Sequence, residues 1–341
     1  MKSLEMKKIL FFAPSFFGYE IKIKNKMEEL GAKVDMFDER SIKSSFQKTI
    51  LKINPNIYKK KTEMYYFNIL NRLKENHYDF VFFIKCEMAT TKVLEEYKKT
   101  FCNSIFCLYL YDSLQNVKNI EKKLKYFDYI YSFDRFDCKK NKLLRFEPLF
   151  YCDEYQREKS NQRNKYDLCF IGTIHSDRYK ILKHIKKRAE DEGLNMYFYP
   201  FLQSKFIYYF YKLTKPEFRD TKITDFKYDK LSANDISQIV DASKVIIDIQ
   251  HPNQTGLTMR TIEILGLKKK LVTTNKDIIN YDFYNANNIK IIDRKHFTID
   301  KNFINREYID LDEKIYRKYS LSSWIETLMG DDVNEDISNG G

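Results

Sequence analysis

Glycine and proline are scarce in this chain, with 9 Gly and 6 Pro in 341 residues. Collagen-like, mucin-like and Pro/Gly-rich disordered classes are excluded on those counts. The six cysteines, Cys86, Cys102, Cys107, Cys138, Cys152 and Cys169, form no C-x-x-C pair. That argues against a zinc ribbon or a disulfide scaffold and predicts reduced, buried thiols in a cytoplasmic protein. No run approaches the roughly twenty apolar residues that cross a bilayer. No continuous apolar stretch with a small-residue cleavage site follows the basic N-terminus. Walker A, H-E-x-x-H, G-x-S-x-G and EF-hand patterns are missing. The five histidines are scattered, so no metal cage is expected.

Aromatic and basic residues are plentiful. There are 26 Tyr and 27 Phe, and the formal net charge is +12. A basic surface suits nucleic acid, an anionic membrane face or phosphorylated small molecules. A merely solvated lysine surface explains it equally well. Abundant Lys, Ile, Asn, Tyr and Phe also fit an AT-rich coding genome. The runs Lys59–Lys61 and Lys268–Lys270 are short. No helix-turn-helix, zinc-finger or RNA-recognition signature is present, so no nucleic-acid partner is expected. The segment Phe206–Tyr211 reads as a buried aromatic strip rather than a membrane contact.

Hydrophobic patterning predicts two α/β domains. Strands are expected at Lys8–Ala13, Lys33–Phe37, Asp79–Lys85, Ser104–Tyr111 and Tyr129–Phe133. Helices are expected between them, including one over Leu114–Phe127. Strict alternation implies parallel sheets covered on both faces, a Rossmann-like arrangement. The first strand lacks G-x-G-x-x-G, so an NAD site has little support. The first domain is read as 1–151 and the polar stretch 152–165 as the linker. The second domain, 166–312, repeats the pattern with strands at Asp167–Gly172, Met196–Pro200, Lys244–Ile249, Lys270–Thr274 and Lys290–Asp293. A helix over 313–330, holding Trp324, is expected to cross back to the first domain. The acidic tail 331–341 is read as disordered.

Ligands of open parallel sheets bind at the carboxyl ends of strands, near helix N-termini. Three loops stand out there. Gly172-Thr173-Ile174-His175-Ser176-Asp177-Arg178 offers close backbone approach, hydroxyls and a guanidinium for a diphosphate. A simple βα turn with an N-cap explains it as well. The second loop runs from Gln250 through His251, Gln254 and Gly256-Leu257-Thr258 to Arg260 and Glu263. Gly256 lets the backbone approach a phosphate. Arg260 and Glu263, three apart, share a helix face. The Arg can meet phosphate oxygens, and the carboxylate can accept from ribose hydroxyls. The bland alternative is an intrahelical ion pair. In the first domain Asp112 follows a strand end, where a carboxylate can act as general base; Asp112 or Ser113 can equally be a helix cap. Gly18, Lys85, Glu87, Ser113 and Asp134 are further candidates to line that side of a cleft.

At these residues the chain resembles GT-B glycosyltransferases of bacterial capsule, exopolysaccharide and lipopolysaccharide biosynthesis, and the spore-maturation type. The resemblance rests on Leu110–Ser113, Tyr131–Asp134, Phe170–Thr173, Leu271–Asn275, Tyr319–Trp324 and above all Gly256–Glu263. It implies two Rossmann-like domains facing a cleft, a nucleotide-sugar donor in the second and a glycan or lipid-linked acceptor in the first. It implies ribose binding at Glu263 and a phosphate-facing role for Arg260. Many retaining members carry a second Glu eight residues before the ribose-binding one; here Thr255 stands there, which turns the expectation toward inversion with Asp112 as base. No metal or other cofactor is expected, because basic groups and helix N-termini neutralise the leaving diphosphate. A nucleotide-sugar 2-epimerase, a non-enzymatic polyanion-binding module and a degenerate partner subunit remain as alternatives. Peripheral attachment to the inner membrane face is compatible with the charge.

Overall fold

The computed structural model describes residues 3–40, 55–117, 119–158, 165–252, 254–295 and 300–330. The expected tail 331–341, linker residues 159–164 and loop residue Asn253 lie outside the described residues. The chain forms two units, one running to Pro148 and resumed from Leu321, the other Leu149–Ser320. Every strand ladder among the described residues is parallel.

The first unit runs β1 (Lys8–Ala13), α1 (Tyr19–Glu29), β2 (Lys33–Asp38), α2 (Pro55–Leu73), β3 (Phe80–Ile84), α3 (Thr91–Thr100), β4 (Ile105–Leu110), β5 (Tyr129–Ser132), α4 (Arg135–Lys140) and β6 (Arg145–Phe146). The sheet order is β2-β1-β3-β4-β5-β6. Central β1 and β3 are apolar along nearly their whole length, because helices cover both faces. Phe11 stacks on Phe82 and Phe12 on Phe83, at ring separations of 5.1 and 4.6 Å. Edge strand β2 alternates exposed and half-buried positions over its first four residues.

The helix expected over Leu114–Phe127 is absent. Two short 3-10 turns, Leu114–Asn116 and Leu124–Tyr126, stand there instead. Buried Val117, Ile120, Leu124 and Phe127 give a helix-like period, but Asn119 takes a left-handed φ of 57°, which breaks the helical path.

The second unit runs β7 (Tyr166–Thr173), α5 (Arg178–Asp191), β8 (Met196–Phe201), α6 (Lys205–Thr214), α7 (Ala233–Asp241), β9 (Ser243–Asp248), α8 (Met259–Gly266), β10 (Lys270–Thr273), β11 (Ile289–Ile291), α9 (Lys301–Asn305) and α10 (Glu313–Lys318). The order is β11-β10-β9-β7-β8. In both sheets the first strand lies between the second and the third. Residues 152–158, read as linker, attach to this unit. Arg157 bonds Ser237 and Asp241 at 3.0 and 2.9 Å, and its amide reaches the Gly266 carbonyl.

Lys268, Lys269 and Lys270 are all buried. Their ammonium groups donate to the carbonyls of Glu158, Asp241 and the Phe303–Ile304 helix end at 2.6–2.7 Å. Burial pushes the Lys269 and Lys270 pKa values down to about 8. The Phe206–Tyr211 segment is not the buried strip that was expected. It is helix α6, and only Tyr208 of its residues is fully buried.

The helix expected over 313–330 is two helices. Chain residues Tyr319 and Ser320 separate α10 from α11 (Leu321–Met329). The unit division falls in that break. Helix α11 completes the first unit. Trp324 packs its ring edge-on to Tyr109 at 4.8 Å and meets Phe82 at 6.1 Å.

Candidate functional site

A parallel sheet opens a crevice where successive crossovers leave in opposite directions, between its first and third strands. In the second unit that point lies between β7 and β9. The two loops singled out in this half of the sequence leave those two strands. The structure ties them together. Arg178, at the start of α5, donates from Nε to the Ile249 carbonyl at 2.6 Å and from Nη1 to the Thr173 carbonyl at 2.7 Å. Its guanidinium thus clamps one loop to the other. The rings of His175 and His251 lie 5.5 Å apart. Gly172 closes β7 beside Phe170 and Arg178; an added Cβ there would come within 3.2 Å of the Phe170 ring.

Helix α8 starts under tight local control. Thr258 is its N-cap, accepting from the Thr261 amide at 3.1 Å. Its hydroxyl donates to Asp248 at 2.5 Å, and Thr261 donates to the same carboxylate oxygen at 2.9 Å. Asp248 ends β9, so strand and helix are locked through one buried carboxylate. Before the cap, the Thr255 and Gly256 carbonyls accept from Asn275 at 3.1 and 3.4 Å. Gln254 reaches the Gly256 carbonyl at 3.3 Å, and Leu257 is buried. The first turns of α8 then present Arg260 and Glu263, paired at 3.2 Å, with the Glu263 side chain 6% and the Arg260 side chain 25% exposed.

Sequence reasoning missed two groups here. Asp248 reads as the last residue of an apolar strand, and its role appears only through Thr258 and Thr261. Arg294 lies beyond β11. It donates to both Asp177 oxygens at 2.8 and 2.9 Å, and to the Gln250 carbonyl at 2.6 Å. No local motif marks it. Three buried polar atoms at this edge have no hydrogen-bond partner: His175 Nδ1, Ser176 Oγ and Gln250 Oε1. Ser176 also takes a left-handed φ of 48°. Burial, with Arg178 and His251 nearby, lowers the His175 pKa to about 4. A neutral imidazole with an unbonded Nδ1 and an unbonded hydroxyl, beside two guanidinium groups, can receive a polar, anionic ligand.

The first unit has its own crevice between β1 and β3. A pocket of about 150 Å³ lies there, lined by residues that include Phe16, Glu20, Arg40, Lys85, Tyr111 and Asp112. Lys85 reaches Asp112 at 2.8 Å and Glu87 at 3.6 Å. Burial opposes the charge on Lys85, but these carboxylates outweigh it and raise its pKa. Gly18 begins α1 at φ 79°, where an L side chain is strained although space is open. Glu20, not anticipated from sequence, closes the same loop by accepting from Ser15 and the Phe16 amide at 3.1 and 3.0 Å. Ser113 and Asp134 are elsewhere. Both are buried, bonded to each other at 2.6 Å, and Asp134 caps α4.

The backbone presenting Lys85 and Glu87 is strained. Lys85 and Cys86 hold φ of 72° and 52°, conformations that cost about 1–3 kcal/mol each. Two buried ionisable side chains pin them. Glu39 accepts from the Met88 amide at 2.6 Å, and Lys123 donates to the Cys86 and Glu87 carbonyls at 2.8 and 2.9 Å. The second Glu39 oxygen has no partner, and burial raises its pKa from 4.5 to about 7. The folded state therefore holds this proton more tightly than the unfolded one. Its contribution is full below pH 4.5 and lost as pH rises through 7. Glu39→Gln removes that dependence. The variant is expected to exceed the wild type in stability above pH 7, by up to about 3 kcal/mol, and to match it below pH 4.5. Urea melts at both ends of the range measure the difference.

No protein-family model matches the chain, and no curated protein matches it. Solved structures do. A glycosyltransferase from Rickettsia africae aligns with a TM-score of 0.58 at 11% identity, over 98% of this chain and 100% of that one. Sucrose-phosphate synthase from Thermosynechococcus elongatus aligns at 0.55 and 10% identity, over 98% and 97%. HepE from Anabaena, solved with UDP and glucose, aligns at 0.53 and 11% identity, over 98% of each chain. At such identities the likeness speaks for architecture, and it extends over nearly the whole chain. With its two parallel-sheet α/β units, this chain has the GT-B fold of those glycosyltransferases.

Proposed function

We propose that the chain is a glycosyltransferase that moves a sugar from a nucleotide-sugar donor to a bacterial surface glycan or lipid-linked acceptor. The observation that carries this reading is the Arg260–Glu263 pair on the first turns of α8, directly after the switch-point strand β9. Glu263 accepts hydrogen bonds from the ribose hydroxyls. Arg260 faces the diphosphate, and the loop residues Gly172, Thr173, His251 and Gly256 line its path. HepE, which shares the fold, is solved with UDP and with UDP-glucose, so uridine nucleotides are the first to try.

The acceptor hydroxyl sits at the first unit's pocket, where Asp112 takes its proton and Lys85 orients the carboxylate. The acceptor oxygen attacks the anomeric carbon as the bond to the diphosphate oxygen breaks. The electron pair leaves with the nucleoside diphosphate, and configuration inverts. Charge on the leaving group is met by Arg260 and by the N-terminal amides of α8. The proposed reaction needs no metal, because Arg260 and the α8 amides meet the charge that leaves. No helix among the described residues is long and apolar enough to cross a membrane. We propose that a lipid-linked acceptor is met by peripheral contact at the cytoplasmic face.

Nucleotide binding tests the reading. A thermal-shift screen over nucleoside diphosphates and nucleotide sugars is expected to give a rise with one nucleotide family. Glu263→Ala should abolish it, because ligand stabilisation scales with the logarithm of affinity. A rise unchanged in the variant would remove the ribose role from Glu263.

A further inference from the structure

Helix α6 is apolar on two sides. Tyr208 faces inward and is 2% exposed, packing near Phe226, and its hydroxyl donates to the Thr221 carbonyl. On the opposite side Phe206, Tyr209, Phe210 and Leu213 are 79, 57, 54 and 86% exposed. Their spacing, i, i+3, i+4 and i+7, makes one stripe along the helix. The sugar-transfer chemistry uses none of them. A soluble monomer rarely gathers large apolar side chains this way without an occupant for the stripe.

The surrounding charge identifies the occupant. No carboxylate occurs from Gly193 to Pro216; Lys205 is exposed, while Lys212 and Lys215 turn inward and donate to the Thr221 and Ser176 carbonyls at 2.6 Å. Exposed Arg219 and Lys222 follow, against Glu217 and Asp220. The pattern is an aromatic and aliphatic stripe with cationic flanks, the composition of a helix lying in a bilayer interface. The exposed Tyr209 ring and Lys205 side chain suit the headgroup level. A second copy of the chain fits poorly. A two-fold contact would bring like cations together. A ten-residue helix, about 15 Å long, also offers less than the roughly 800 Å² per partner of a stable interface.

We infer that α6 is a membrane-docking helix, seating Phe206, Tyr209, Phe210 and Leu213 in the interface of an anionic lipid surface. This deepens the proposal of a lipid-linked acceptor by naming where the protein meets the membrane, and it is tested apart from sugar transfer. The full chain is floated with vesicles of phosphatidylcholine alone or doped with phosphatidylglycerol, at low and high salt. The wild type should float with the anionic vesicles at low salt. The F206S/F210S double variant should bind at least about tenfold more weakly while keeping the wild-type melting temperature and nucleotide response. As an independent probe, the F210W indole should shift to the blue and be quenched by brominated lipid, with wild-type Trp324 unaffected. Failure of the wild type to float, equal flotation of the double variant, or an unquenched F210W indole would each overturn the inference. So would a dimer in solution that the double variant abolishes, since a second copy would then be the occupant. Loss of nucleotide binding in the wild type would instead strike the transferase reading and leave α6 standing.

Discussion

Asp112→Asn is expected to lower turnover about 10²- to 10⁴-fold, the contribution of a general base to a proton-transfer step. Asp112 follows β4 and lines the pocket beside Tyr111, with Lys85 at 2.8 Å and 43% of its side chain exposed. An acceptor hydroxyl can therefore reach it, whereas Asp134 and Ser113 are buried and bonded to each other. Asparagine keeps the shape and an oxygen for Lys85 but cannot take the proton. Nucleotide affinity should not change, because Glu263 and Arg260 belong to the other unit. Initial rates with saturating donor, alongside the nucleotide thermal shift, separate the two effects. A rate within a few-fold of wild type would move the base to another carboxylate, and Glu20 is the next one lining the pocket.

Gly266→Ala is expected to destabilise the second unit by about 1–3 kcal/mol, although alanine is the better helix former by roughly 1 kcal/mol. Gly266 ends α8, and Tyr151 packs directly on its backbone. A Cβ there would lie 2.6 Å from the Tyr151 Cγ and 2.9 Å from its Cβ. The ring cannot step aside. It is 1% exposed, stacked on Tyr316 at 5.1 Å, and its hydroxyl donates to the Tyr316 carbonyl. Tyr316 in turn donates to the Gly266 carbonyl at 2.7 Å. Helix α8 carries Arg260 and Glu263, so the strain should also loosen the proposed nucleotide site. A lower urea midpoint with an unchanged slope would show the effect. A midpoint equal to the wild type would mean that Tyr151 relaxes freely.

The alternation of apolar runs and amphipathic helices made both sheets legible, because buried parallel strands must be apolar on both faces. The Gly256–Glu263 loop was legible for a local reason: polar residues crowd between a buried strand and a helix. Arg294, Asp248, Glu20 and Glu39 were not. Glu20 closes its own loop without a local motif to mark it, and the other three reach partners distant in sequence, Arg294 across more than a hundred residues to Asp177. The burial of Lys268–Lys270 was not legible either, because each ammonium meets a backbone carbonyl that only the fold brings to it. The aromatic run in α6 reads as buried, and the structure exposes one side of it. Composition predicts burial of Phe and Tyr, and says nothing of which helix side has a neighbour.

The central claim is that this chain transfers sugar from a nucleotide donor. Its most direct test is nucleoside diphosphate release from a panel of nucleotide sugars, beginning with UDP-glucose, with and without extracted surface glycans and lipid-linked saccharides as acceptors. The account predicts release from one donor, accelerated by one acceptor class and matched by sugar gained on that acceptor. Conversion of the donor to an epimer without an acceptor, or no release from any donor, would contradict it.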